Sequence, residues 1–251
     1  MSFDFVLLLV VATVATGAVY VMDLVAWRRH RPEERREPVL VEYSRALFPL
    51  LLAVVLIRSF LIEPFRIPSG SMIPTLLVGD FILVDKTAFG LRIPNLGVTL
   101  VPGDVPERGD VVVFRFPSNP SIRYVKRIVG LPGDQVTYRG GQLYLNGVAV
   151  ARTAAGTYGG PGGMSAELYT ERLGAIEHRI IRIPGRVGRE DDFVVPEGHY
   201  YVLGDNRDAS NDSRSWGPVP ESHLIGRALF VWLSWAPGQG PDWERFGEGI
   251  R

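Results

Sequence analysis

SIRYVKRIVGLPGD, residues 121–134, is the stretch on which the reading of the fold turns. Residues 121–129 are rich in β-branched and aromatic side chains. They run into Gly130-Leu131-Pro132-Gly133-Asp134, a cluster of turn formers, so they read as a strand that ends in a turn. Side chains alternate faces along a strand. Ile122, Tyr124, Lys126 and Ile128 therefore share one face, and Arg123, Val125, Arg127 and Val129 share the other. Lys126 is the lone charge on its face. If that face is buried, desolvation drives the amine from its usual ~10.4 toward neutrality, and the flanking Arg123 and Arg127 push the same way. If the strand lies at an edge, Lys126 snorkels to water instead.

Working outward, the chain after residue 64 repeats this pattern of short β-rich runs between turn signals. FILVD (81–85) follows Gly79-Asp80, and VVVFRF (111–116) follows Arg108-Gly109-Asp110. That last tripeptide matches a cell-adhesion motif, but a turn before a strand accounts for it. Residues 136–138 and 142–145 read as a hairpin turning near Gly140-Gly141, and Asn146-Gly147 is a second tight-turn signal. HYYVL (199–203) and GRALFVWLSW (226–235) complete the set. Strands without regular intervening helices imply a mainly β, antiparallel, sandwich- or barrel-like domain. Residues 153–189, with the Gly/Pro tip GTYGGPGG, read as part of an inserted β-rich extension over about 139–195.

In front of this domain lie two apolar segments. Residues 5–22 (FVLLLVVATVATGAVYVM) are uncharged, and spanning a bilayer takes ~20 apolar residues. A cleaved signal peptide wants positive charge before its apolar core, and here no Lys or Arg precedes Arg28. Residues 46–62 contain Pro49 and Arg58 and read as a second span or as an interfacial or core helix, with Arg58 near enough to the end to snorkel. Arg28, Arg29, Arg31, Arg35 and Arg36 fall between the two segments, and positive charge stays cytoplasmic. The expected organisation is a first transmembrane segment (1–26), a basic cytoplasmic loop (27–45), a second transmembrane segment (46–63) and an extracytoplasmic β-rich domain (64–251).

Composition removes several function classes. Lys and Arg number 27, Asp and Glu 27, so the chain lacks the basic excess of a dedicated nucleic-acid binder. There is no cysteine, which excludes disulfides, Cys-ligated zinc and a thiol nucleophile. The four histidines show no HExxH spacing, and no GxSxG, Walker or Rossmann pattern occurs. An EF-hand aligned from Asp208 needs Gly where Ser213 stands and Glu where Val219 stands. The mean hydropathy, +0.11, is high because of the two apolar segments.

Two further stretches carry candidate chemistry. In IPSGSMIPT (67–75), Pro68 and Pro74 stiffen the loop and Gly70 permits a sharp turn. Ser71 can serve as a nucleophile and Ser69 as a hydroxyl donor; alternatively the stretch is an ordinary turn. GDNRDASNDSRSWG (204–217) alternates Asp and Arg, which suits either a buried ion-pair network or a solvated loop.

Together with YVKRIVGLPGD (124–134) and RGDVVVF (108–114), these stretches resemble, in order, the motifs of bacterial type I signal peptidases, or leader peptidases, serine proteases of the Ser/Lys class. The resemblance extends from the second apolar segment to about Trp235. It implies an antiparallel β catalytic domain on two transmembrane helices, as in the Gram-negative two-span form. By the same resemblance Ser71 matches the nucleophile and Lys126 the general base. Ser69 matches the hydroxyl that joins the Ser71 N–H in the oxyanion hole, and Ser210 the hydroxyl that orients the lysine. Asp205, Arg207, Asp212 and Arg214 match the polar support of that loop, and Ile67, Pro68 and Ile82 the apolar substrate pockets. The implied partners are secretory precursors bearing signal peptides, cut after a small-x-small motif, and the phospholipid bilayer, with no metal, cofactor or nucleic acid. The implied location is the bacterial inner membrane, with the catalytic domain periplasmic. A processing peptidase for one dedicated precursor and an inactive membrane-anchored β scaffold are the alternatives.

Overall fold

The computed structural model describes residues 5–27, 37–92, 99–160, 165–186, 188–236, 238 and 240–250. The arginines expected to set the topology, Arg28 to Arg36, lie outside these residues, as does part of the Gly/Pro tip. The chain divides into two units, Met1–Ile62 and Glu63–Arg251.

The first unit is a helix pair. Helix α1 (Phe5–Met22) continues through a wider turn, Asp23–Trp27. Helix α2 (Val39–Leu56) continues through Ile57–Leu61. The stretches Leu7–Trp27 and Val39–Leu61 are long and apolar enough to cross a membrane, and little of either is buried inside the protein. α2 starts at Val39, before the apolar run itself. Pro38 precedes it, where a missing N–H costs nothing, and Glu42 in the first turn complements the helix dipole. Gly17 permits close approach: a Cβ there would lie 2.6 Å from the Phe48 ring. The Thr13 and Thr16 hydroxyls donate to the Leu9 and Ala12 carbonyls, which satisfies them within the apolar helix.

The second unit is built of strands: β1 (Ile62–Arg66), β2 (Asp80–Asp85), β3 (Leu91–Arg92), β4 (Thr99–Val101), β5 (Val111–Phe116), β6 (Asn119–Gly130), β7 (Gln135–Arg139), β8 (Gln142–Leu145), β9 (Val148–Ala149), β10 (Arg152–Gly159), β11 (Ser165–Leu173), β12 (Ile176–Arg182), β13 (Asp191–Val194), β14 (His199–Leu203), β15 (Val219–Pro220) and β16 (Leu224–Ser234). A single turn of helix, α3 (Ser213–Trp216), lies between β14 and β15. Seven strands form the main sheet in the order β1-β2-β16-β5-β6-β14-β15. Its described pairings are antiparallel.

Alternation along β5 and β6 fills a core on each face of this sheet. Val111, Val113 and Val125 join Ile67, Met72, Leu76, Ile82, Val84 and Val231 on one side. Val112, Phe114 and Ile128 join Phe89, Tyr200, Val202 and Val219 on the other. Each such side chain contributes about 1.5–3 kcal/mol when fully buried. Lys126 is paired across the ladder with Val112, so it stands in a double-sided, buried part of the sheet and not at a wet edge. The upstream half of β6 differs. It is exposed through Arg123, because β14 pairs with β6 only from Arg127 to Gly130.

The extension is a β excursion that leaves and returns through paired strands, β7 and β13. It carries a sheet ordered β13-β7-β8-β9 and a separate three-stranded sheet, β10-β11-β12. The expected hairpin is β7–β8, turning on Gly140 (φ 56°) and Gly141 (φ 76°), both in the left-handed region that such two-residue turns require. Asn146 (φ 52°) and Gly147 (φ 79°) make the next turn in the same way.

Candidate active site

The loop after β1 is fixed at both ends before it reaches its serines. Ile67 N–H donates to the Asp80 carbonyl and Gly79 N–H to the Ile67 carbonyl, while Met72 and Leu76 are sunk in the core. Between these anchors Gly70–Met72 forms one tight turn that carries Ser71. Ser69, just before it, is extended, and its Oγ lies 3.4 Å from Ser71 Oγ.

Lys126 approaches from β6. Its Nζ donates to Ser71 Oγ at 2.7 Å and to the Val125 carbonyl at 2.9 Å, and lies 5.3 Å from the centre of the Tyr124 ring. The side chain is 4% exposed. Burial lowers the amine to about 8, against the opposing pull of Asp212 and Asp205. The arginines beside it were expected to help lower it; they do not figure among the causes. Arg127 is clamped to Asp205 (Nε 2.9 Å, Nη2 2.7 Å) and to the Gly109 carbonyl. Arg123 pairs with Glu63 at 2.6 Å. Both charges are thus offset by carboxylates, and desolvation does the lowering.

The 204–217 loop is the buried network, not the solvated one. Asp205 accepts from Arg127 and from Thr75 Oγ1 (2.5 Å), which joins the serine loop to β6. Burial alone would raise the Asp205 carboxyl, but Arg127 outweighs it and holds it low. Asp212 accepts two bonds at 2.8 Å from Arg214, caps α3, and accepts from Gly204 N–H. Arg207 is clasped through both terminal nitrogens by Glu171, with Nη1 to Oε1 at 2.9 Å.

Some contributors were not foreseen from the sequence. Asn206 holds the serine turn by two bonds, from its N–H to the Ser71 carbonyl (3.1 Å) and from Nδ2 to the Gly70 carbonyl (3.0 Å). Gly204 packs where no other residue fits, since a Cβ would lie 2.4 Å from the Ser71 carbonyl oxygen and 2.2 Å from Ser210 Oγ. Glu171 and His178 come from the extension, directly opposite each other on β11 and β12. His178 Nε2 lies 3.4 Å from Glu171 and 3.9 Å from Asp205. Burial, with Arg127 nearby, holds that imidazole below its usual value.

Ser210 Oγ is buried and makes no hydrogen bond among the described residues, so the orienting bond to Lys126 is absent; Nζ is already engaged by Ser71 and Val125. Ile82 is fully buried on β2, in the same core cluster as Ile67, and is not among the side chains that line the groove beside Ser71. Ile67 and Pro68 do line it, with Phe65, Ser69, Ser71, Met72, Ile122, Tyr124 and Val125. This groove has a volume of about 490 Å³, and Lys126 is also among its lining residues. Among the described residues no group of three His, Asp or Glu side chains converges as a metal would require.

Residues 40–235 match the family model described as signal peptidase, peptidase S26. Signal peptidase I of Pseudomonas aeruginosa is 46% identical over 267 residues, covering 94% of each chain, and that of Pseudomonas fluorescens is 45% identical with the same coverage. Signal peptidase I of Haemophilus influenzae is 33% identical, covering 92% of this chain and 86% of that one. The chain belongs to the S26 family of signal peptidases. It is a serine peptidase that removes signal peptides, and its two apolar helices fit a membrane-anchored enzyme.

Proposed function

We propose that Ser71 is the nucleophile and neutral Lys126 its general base. The observation that carries this reading is the 2.7 Å contact between Nζ and Oγ beside a largely apolar groove, with the lysine buried. In the acylation step Ser71 Oγ attacks the scissile carbonyl and its proton passes to Nζ. The ammonium then gives a proton to the leaving amine as the C–N bond breaks. Water, deprotonated by the same amine, opens the acyl-enzyme. Developing charge on the carbonyl oxygen is held by the Ser71 N–H and the Ser69 hydroxyl; removing one such donor typically costs about 2.7–4 kcal/mol of barrier.

The substrate is an extended chain ending in a small-x-small motif, as in secretory precursors. The upstream half of β6 offers it a free edge, and Ile67, Pro68 and Tyr124 offer shallow apolar walls. Cleavage of a purified precursor by the full-length protein, with sequencing of the new N-terminus, tests this. A single cut after the small-x-small motif, lost in Ser71→Ala, is expected; a cut elsewhere, or one retained in that variant, defeats the assignment. A panel of unrelated precursors separates a general enzyme, which cuts them all, from one dedicated to a single precursor.

The catalytic unit is proposed to face the periplasm from the inner membrane, with residues 27–45 in the cytoplasm. The chain has no native cysteine, so Ser2→Cys, Glu34→Cys and Gly247→Cys can each be probed with an impermeant thiol reagent on sealed cells. Labelling at positions 2 and 247 but not at 34 is expected. The opposite pattern inverts the topology.

A further inference from the structure

The groove is lined by two charged residues, Lys126 and Arg123, both cationic; the rest of its lining is apolar or neutral. Lys126 belongs to the reacting end. Arg123 lies three residues upstream on the same strand, about 10 Å away at ~3.3 Å per residue. Its side chain is 46% exposed, and it reaches over to Glu63 of β1. β1 is the terminal strand of the main sheet, and β6 at Arg123 lies beyond its pairing with β14. The Arg123–Glu63 pair therefore links two strand segments whose free edges flank the groove. Glu63 also lies 3.6 Å from Lys86, so the two acidic oxygens face two cations.

We propose that Arg123 is a specificity-determining residue that selects substrates by charge: it favours an acidic side chain, and disfavours Lys or Arg, at one position two to four residues from the scissile bond. Ser71 and Arg123 line the same groove, so an extended chain with its reacting carbonyl at Ser71 is placed to carry a side chain past Arg123 at about that distance. An acidic one exchanges with Glu63 for the guanidinium; a basic one meets a like charge. This inference rests on the groove and dyad reading above.

The test uses the full-length protein and precursor-derived peptides that differ by a single Asp, Ala or Lys, placed in turn at four positions on each side of the cut. The quantity read is the ratio of kcat/KM for Asp over Lys at each position. In the unaltered protein one position is expected to give a ratio of about two- to fivefold, the range of an exposed charge pair. The ratio should fall toward one in Arg123→Gln, reverse in Arg123→Glu, and rise in Glu63→Gln, which frees the guanidinium. It should also collapse at high ionic strength in the unaltered protein, a measurement that needs no variant to fold. Efficient cleavage of the Ala peptides with a flat ratio in every variant and at every salt concentration overturns the charge selection alone. Failure to cleave any peptide overturns it together with the reading on which it rests.

Discussion

Lys126→Ala is expected to lower precursor cleavage by about 10²–10⁴-fold, the usual contribution of a positioned general base, while the protein stays folded. The amine is 4% exposed, and its bonds run only to Ser71 Oγ and the Val125 carbonyl. Truncation therefore strands no buried charge. Lys126→Arg should fail as badly, because a guanidinium does not give up its proton at any working pH. The unaltered enzyme supplies the matching pH signature. The amine lies at about 8, lowered by burial, and in the proposed dyad the neutral form is the active one. Turnover should rise as pH passes upward through 8, with about a tenth of the enzyme active at pH 7. Near-normal turnover in Lys126→Ala, or a flat profile between pH 7 and 9, would sink the dyad.

The second large effect is on stability and comes from the extension. Glu171 is 1% exposed and holds Arg207 through both oxygens, with His178 alongside. Taking away one partner of such a pair leaves a buried, uncompensated charge, so Glu171→Ala is expected to cost about 3–5 kcal/mol. Denaturant unfolding followed by tryptophan fluorescence reads this directly. Arg207 and His178 hold the Glu171 carboxyl at about 2 against the opposing effect of burial, where an unfolded chain would have 4.5. The unfolded state then binds more protons between those values, so stability rises with pH across that window. Its contribution of about 3 kcal/mol is complete above pH 4.5 and is lost as pH falls toward 2. Glu171→Gln should flatten this acid limb. An unchanged midpoint and an unchanged acid limb would mean that the network is peripheral.

How much of this was legible depended on whether the determining contacts are local. Lys126 was visible because a strand's alternation is local, and a charge among Ile122, Tyr124 and Ile128 breaks it. The turns at Gly140-Gly141 and Asn146-Gly147 were visible because only certain residues tolerate positive φ. Glu171 and His178 were not visible: a carboxylate and an imidazole on an alternating strand look like solvent-facing residues. Their burial follows from the register of β11 against β12 and from Arg207, 36 residues further on. The early start of α2 was missed because Glu42 and Arg45 interrupt the hydropathy but not the helix, and Arg45 finds Glu37 and Asp23. Ile82 could not be assigned from the sequence because one strand face looks as much like a pocket wall as like a core.

The burial of Glu171 beside an open β10, exposed from residue 153 to 157, divides the extension into a root and a free end. The free end can be lengthened, tagged or exchanged between relatives with little consequence for the peptidase. The root cannot, since its carboxylate completes a charge set that includes Arg207 and Asp205 of the 204–217 loop. A chimera that swaps the whole excursion must therefore bring Arg207 and Asp205 with it, and variation in this part of the enzyme is expected to accumulate outward from that junction.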